Sequence, residues 1–166
     1  MPNHLDSQVQ LLDAGNVQCL HDDMEAAQES LSKKVAHFLE SGAFPILLGG
    51  GHDMAYAHYN GIKKSLGNDK SIGIINFDAH FDLRSNKEGN NSGTPFYQIA
   101  EDCQNEGRPF NYLVLGIRKD ANDKVLFQTA EALGVDYIEN ENLFNVIYCN
   151  IYLKYYTWTG CSPENK

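Results

Sequence analysis

Ser71-Ile72-Gly73-Ile74-Ile75-Asn76-Phe77-Asp78-Ala79-His80-Phe81-Asp82 decides the fold. Its first seven residues are mostly apolar without clean alternation, the pattern of a strand buried on both faces of a parallel sheet. The polar run that follows marks the strand's carboxyl end, where open α/β sheets place their ligands. Reading outward, Pro45-Ile46-Leu47-Leu48 predicts an earlier strand closed by Gly49-Gly50-Gly51, and a helix from about Asp53 to Leu66 ends before Gly67. Further upstream, Val9 to Asp13 reads as a short strand. Met24, Ala27, Leu31, Val35 and Phe38 recur at helical steps after an Asp22/Glu25 capping box.

Downstream, Phe96 to Gln104 predicts a helix, Asn111 to Gly116 a strand, Ala121 to Leu133 a helix and Val135 to Ile138 a strand. Strands separated by helices imply crossover units on a shared parallel sheet. The expected class is α/β, three-layer α/β/α with a mainly parallel sheet. Residues 1–142 read as that domain and residues 143–166 as a divergent tail. The tail holds Tyr148, Tyr152, Tyr155, Tyr156 and Trp158, and neither helical spacing nor β-branched content prevails in it.

Composition bounds the function. The chain has 166 residues and 42% hydrophobic content, enough for a core. Its 13 basic against 22 acidic residues give a net charge of −9, which disfavours binding to a phosphate backbone. No apolar run suits a membrane span, and the first residues resemble no signal peptide. Cys19, Cys103, Cys149 and Cys161 form no Cys-x-x-Cys pair, so reduced thiols in a cytoplasmic protein are expected. The anticipated partner is a small molecule, not nucleic acid or membrane.

Two predicted strand ends carry the chemistry: Gly51-His52-Asp53 and Asp78-Ala79-His80-Phe81-Asp82. His52, Asp78, His80 and Asp82 supply two imidazoles and two carboxylates with no thiolate. That set suits Mn²⁺ or Fe²⁺, with Zn²⁺ and Mg²⁺ within its range. Asp78 and Asp82 would stand about 13 Å apart on an extended chain. To share an ion, the loop must curl; otherwise the residues serve two neighbouring metals. A Walker motif and a completed Gly-x-Gly-x-x-Gly are both absent. His58 reads as structural, and His4, His21 and His37 as surface residues.

Leu48-Gly49-Gly50-Gly51-His52-Asp53-Met54 and Asn76-Phe77-Asp78-Ala79-His80-Phe81-Asp82-Leu83-Arg84 resemble the two metal motifs of the ureohydrolase (arginase/agmatinase) family. Gly51, Asp53 and Ser92 are similar to its formimidoylglutamase branch, because arginase-like members carry Gly-Gly-Asp-His-Ser at the first motif and His-Gly at the position of Ser92-Gly93. The resemblance implies a partial arginase-like fold with two Mn²⁺ ions: His52 and Asp82 on one, His80 on the other, and Asp78 bridging. It also implies hydrolysis of N-formimidoyl-L-glutamate to L-glutamate and formamide by a hydroxide held between the ions, a step of histidine degradation. Agmatinase or arginase activity, or a truncated remnant that only binds metal, are the alternatives. Asn90, Asn91 and Ser92 would hold the substrate's glutamate end, with Arg84 as a carboxylate partner. No residue is singled out as the proton-transfer catalyst. The family's third motif, Asp-x-Asp, has no counterpart: after Asp82 come only Asp102, Asp120, Asp123 and Asp136. Family members commonly form oligomers, so a homo-oligomer is expected.

Overall fold

The computed structural model describes residues 10–21, 23–67 and 70–143. Four helices, α1 (Met24–Glu40), α2 (Met54–Leu66), α3 (Pro95–Asn105) and α4 (Lys124–Ala132), accompany three strands, β1 (Gly73–Phe77), β2 (Asn111–Ile117) and β3 (Asp136–Glu139). The strands form one parallel sheet in the order β1-β2-β3. The α/β class and the parallel sheet stand as the sequence predicts. The tail expected over 143–166 lies, beyond its first residue, outside the described residues. No helix among the described residues is long and apolar enough to cross a membrane.

α1 begins one residue later than its capping box suggests: the Asp23 carboxylate accepts from the Ala26 amide at 2.9 Å. α1 lies closely against α2, and Gly61 makes that approach possible. A Cβ there would stand 2.5 Å from the Val35 Cβ and 2.8 Å from the Ser32 carbonyl oxygen. The contact is partly polar, because Gln28 and Ser32 are buried with Val35 and Ala36. The Gln28 amide donates to the Asp53 carbonyl at 3.0 Å and so ties α1 to the start of α2.

α3 and α4 serve one face of the sheet. Phe96 of α3 stacks on Tyr112 of β2, ring centroids 4.3 Å apart. Tyr137, in register with Val114, meets Phe127 of α4 edge-on. Tyr112, Val114 and Tyr137 share that face, so α3 and α4 cover the same side, as right-handed crossovers require when strand order advances steadily. Phe81, Leu83, Ile99 and Val114 are buried there, each contributing about 1.5–3 kcal/mol relative to exposure. Of the three expected layers, the described residues build the sheet and this helical layer. On the opposite face Ile75 is 65% exposed and Phe77 74% exposed.

β2 carries a bulge at Gly116. Leu115 pairs with Ile138 and Ile117 with Glu139, so Gly116 has no partner on β3. Its φ of +106° favours glycine, and a Cβ would lie 3.5 Å from the Asp78 carbonyl oxygen. The extra residue returns Ile117 to the buried face.

Two predicted strands are not formed. Gln10 to Asp13 of the first and Pro45 to Leu48 of the second run without ladder bonds, and Leu48 is 89% exposed. Their apolar composition states what they would bury if covered. A strand also needs a backbone partner in register, and among the described residues β1 pairs only with β2.

Candidate metal centre

The second motif leaves the sheet at Asp78, whose amide still donates to the Leu115 carbonyl at 3.1 Å. The Asp78 carboxylate then accepts from the His80 amide at 2.9 Å and closes a tight turn. Asp82 follows with φ of +47°, a left-handed conformation rare outside glycine and asparagine. The loop curls, and the long span of an extended chain disappears.

The curl meets the first motif. His52 Nδ1 lies 2.6 Å from Asp82 Oδ2 and 3.2 Å from Asp78 Oδ2. These three residues offer donor atoms all within 4.8 Å of one another, and each side chain is half-buried. The hydrogen bond to the Asp82 carboxylate raises the His52 pKa; burial opposes it, and the charges of Asp82, Asp78 and Asp53 add to the rise. An imidazole drawn toward its cationic form among carboxylates marks a place with surplus negative charge. One imidazole and two carboxylates there suit a hard or borderline divalent cation.

The other predicted residues take different positions. His80 is exposed and stands beside the cluster, its Nδ1 3.2 Å from Asp78 Oδ1. Asn90 donates to Glu25 of α1 at 3.1 Å. The Asn91 side-chain oxygen accepts from the Gly93 amide at 2.9 Å, so it shapes the loop. Ser92 is exposed beside the first motif, its Cβ 3.6 Å from where a Cβ on Gly51 would stand. Such a Cβ would also crowd the Asp53 carboxylate, 2.3 Å from its Oδ1. The Arg84 amide donates to the Gly93 carbonyl at 2.9 Å, and the Arg84 side chain lies over that glycine. His58 is half-buried within α2, and burial lowers its pKa.

Residues that the sequence did not single out support the second motif from behind. Tyr112 donates to the Phe81 carbonyl at 3.1 Å and accepts from Asn76 at 3.0 Å. Its phenol is pushed well above the ordinary range by burial. Asn122 accepts from the Phe81 amide at 3.0 Å. Phe96 places its ring edge-on to His52, centroids 5.3 Å apart. The only local signal for Asn122 was its place in a short polar stretch between strand and helix.

The sequence model of the arginase family matches residues 2–148. The chain belongs to the arginase family. It is 48% identical over 129 residues to a formimidoylglutamase of Aeromonas salmonicida, covering 78% of this chain and 41% of that protein. A formimidoylglutamase of Chromobacterium violaceum is 50% identical over 127 residues, 76% of this chain and 40% of that one. The crystal structure of Trypanosoma cruzi formiminoglutamase with Mn²⁺ superposes with a TM-score of 0.74 at 25% identity, covering 93% of this chain and 50% of that chain. The chain thus spans about two fifths of the length of the curated relatives it matches. The arginase-like fold and the likeness to formimidoylglutamases agree with the resemblance carried by the two motifs.

Proposed function

We propose that this chain carries the His52, Asp78 and Asp82 portion of the metal centre of a formimidoylglutamase-type hydrolase. Its reaction would convert N-formimidoyl-L-glutamate and water to L-glutamate and formamide, a cytoplasmic step of histidine degradation. The observation that carries the reading is the convergence of His52, Asp78 and Asp82 within 4.8 Å, in a chain nearly half identical to formimidoylglutamases over most of its length. When bound, Mn²⁺ supplies Lewis acidity and a water acidified toward neutral pH. His52 and Asp82 would hold one ion, Asp78 would reach both, and His80 would turn to the second. Ser92, exposed beside the first motif, is placed to meet the substrate's glutamate end. Asn90 and Asn91 would join it only by exchanging their present bonds to Glu25 and Gly93.

A second reading is favoured by the donor count. Only three donor residues converge among those described, and His80 stands exposed beside them. A chain that binds one cation and catalyses nothing would show these features. Formamide release from N-formimidoyl-L-glutamate with Mn²⁺ present supports the hydrolase. Mn²⁺ binding with no release supports the binding-only reading, and urea release from arginine or agmatine would replace both with a guanidino hydrolase.

A further inference from the structure

The backbone that carries the ligands is clasped by side chains from later in the chain. Asn122 is 8% exposed, and its carboxamide makes three bonds. Its oxygen accepts from the Phe81 amide at 3.0 Å, and its nitrogen donates to the Ala79 carbonyl at 2.7 Å. The same nitrogen donates to the Arg118 carbonyl at 2.8 Å. The Ala79 carbonyl also receives the Arg118 amide at 3.1 Å. Phe81 itself is fully buried, so its peptide groups have no water to turn to and must find partners inside the protein.

We propose that Asn122 is a positioning residue of the metal loop. Its carboxamide occupies the place of a neighbouring strand's peptide unit and fixes the curl that turns Asp82 back onto His52. A carboxamide has one donor end and one acceptor end, like a peptide group, and here both ends address the loop at residues 79 and 81. The match matters because Asp82 is held at φ of +47°. For a residue with a Cβ that conformation is strained, and it persists only where the surroundings determine it. The Phe81 amide and the Ala79 carbonyl lie just upstream of Asp82, and Asn122 holds both while Tyr112 holds the Phe81 carbonyl. Released from Asn122, residues 79–82 can relax to ordinary dihedrals, and the Asp82 carboxylate then swings away from His52.

This inference rests on the proposed metal centre, and its test separates the two. Mn²⁺ dissociation constants are measured by equilibrium titration for the full chain, for Asn122→Ala and for Val135→Ala. The last is a buried apolar substitution in the same core that removes no hydrogen bond to the loop, and it controls for general loss of stability. Asn122→Ala should weaken Mn²⁺ binding about 10- to 100-fold, the range typical of partners that orient metal ligands, while Val135→Ala leaves it within about twofold, since the ligand geometry is untouched. Asn122→Asp keeps the side-chain volume and the acceptor for Phe81 but turns an acceptor toward Ala79 and Arg118. It must also weaken binding, despite an added negative charge that by itself favours a cation. Unchanged affinity in either folded Asn122 variant, or equal loss in Val135→Ala, overturns the proposal. Should the full chain bind no Mn²⁺, the metal reading fails and the positioning role is decided by metal-free NMR at one pH. Asn122→Ala must then speed exchange of the Phe81 amide and shift the His52 ring nitrogens, and an unchanged spectrum sinks it.

Discussion

The two ligand-bearing loops are built to different standards. Residues 78–82 leave a paired strand and are held by Leu115, Arg118, Asn122 and Tyr112. Residues 49–53 follow an apolar run with no strand partner among the described residues. Gly49 and Gly50 sit at φ of +82° and +81°, and the segment is held at its helical end, where the Gln28 amide donates to the Asp53 carbonyl and His52 meets Asp82. One loop is over-determined by its surroundings, and the other has fewer ties, all at its α2 end. A polar cluster assembled from both is therefore no better defined than the looser partner.

The largest break in this comparison should come from removing a ligand on the ordered side. Asp82→Ala deletes the carboxylate nearest His52 and should reduce Mn²⁺ affinity by about 100-fold or more, beyond what supporting residues command. Equilibrium dialysis decides it, and retention of tight binding would mean the ion sits elsewhere. Tyr112→Phe is the next effect in size. It leaves the Phe81 carbonyl and the Asn76 amide unpaired in a buried place and should cost about 1–3 kcal/mol, read from chemical denaturation. The ordered loop cannot relax to escape that cost. Gly50→Ala should be milder in stability, costing less than about 1 kcal/mol although the strained φ alone would demand about 1–2. The loose loop can rearrange, and it should carry His52 with it, so Mn²⁺ affinity falls while the unfolding midpoint barely moves. A full strain cost in denaturation would show that the two loops are equally rigid.

How much of this was legible beforehand follows the same division. β1, β2 and β3 and the helices between them were readable because each apolar run has its partner nearby in the chain order. Pro45 to Leu48 carries the same apolar signal and forms no strand, since hydropathy reports burial and says nothing of which backbone lies alongside. That His52, Asp78 and Asp82 come together was legible because motif spacing survives in sequence. Asn122 and Tyr112 were not, because they reach Phe81 across 41 and 31 residues of chain. The left-handed Asp82 was invisible as well, for nothing in its neighbours' identities specifies a positive φ. His80, expected from its motif position, is exposed with its Nδ1 3.2 Å from Asp78 Oδ1.

The Gly116 bulge has a consequence for how this strand tolerates change. Upstream of it, substitution pressure should alternate, strict at Tyr112 and Val114 and relaxed at Leu113 and Leu115. A regular strand would continue that rhythm and make position 116 strict and 117 relaxed by side-chain facing. Here the phase slips by one residue, since Ile117 is 1% exposed and Gly116 is restricted by its dihedral instead of by burial. A saturation library sorted for folded protein would record two consecutive intolerant positions at the end of β2, for unrelated reasons. Gly116 should reject every side chain, whereas Ile117 should reject only polar ones.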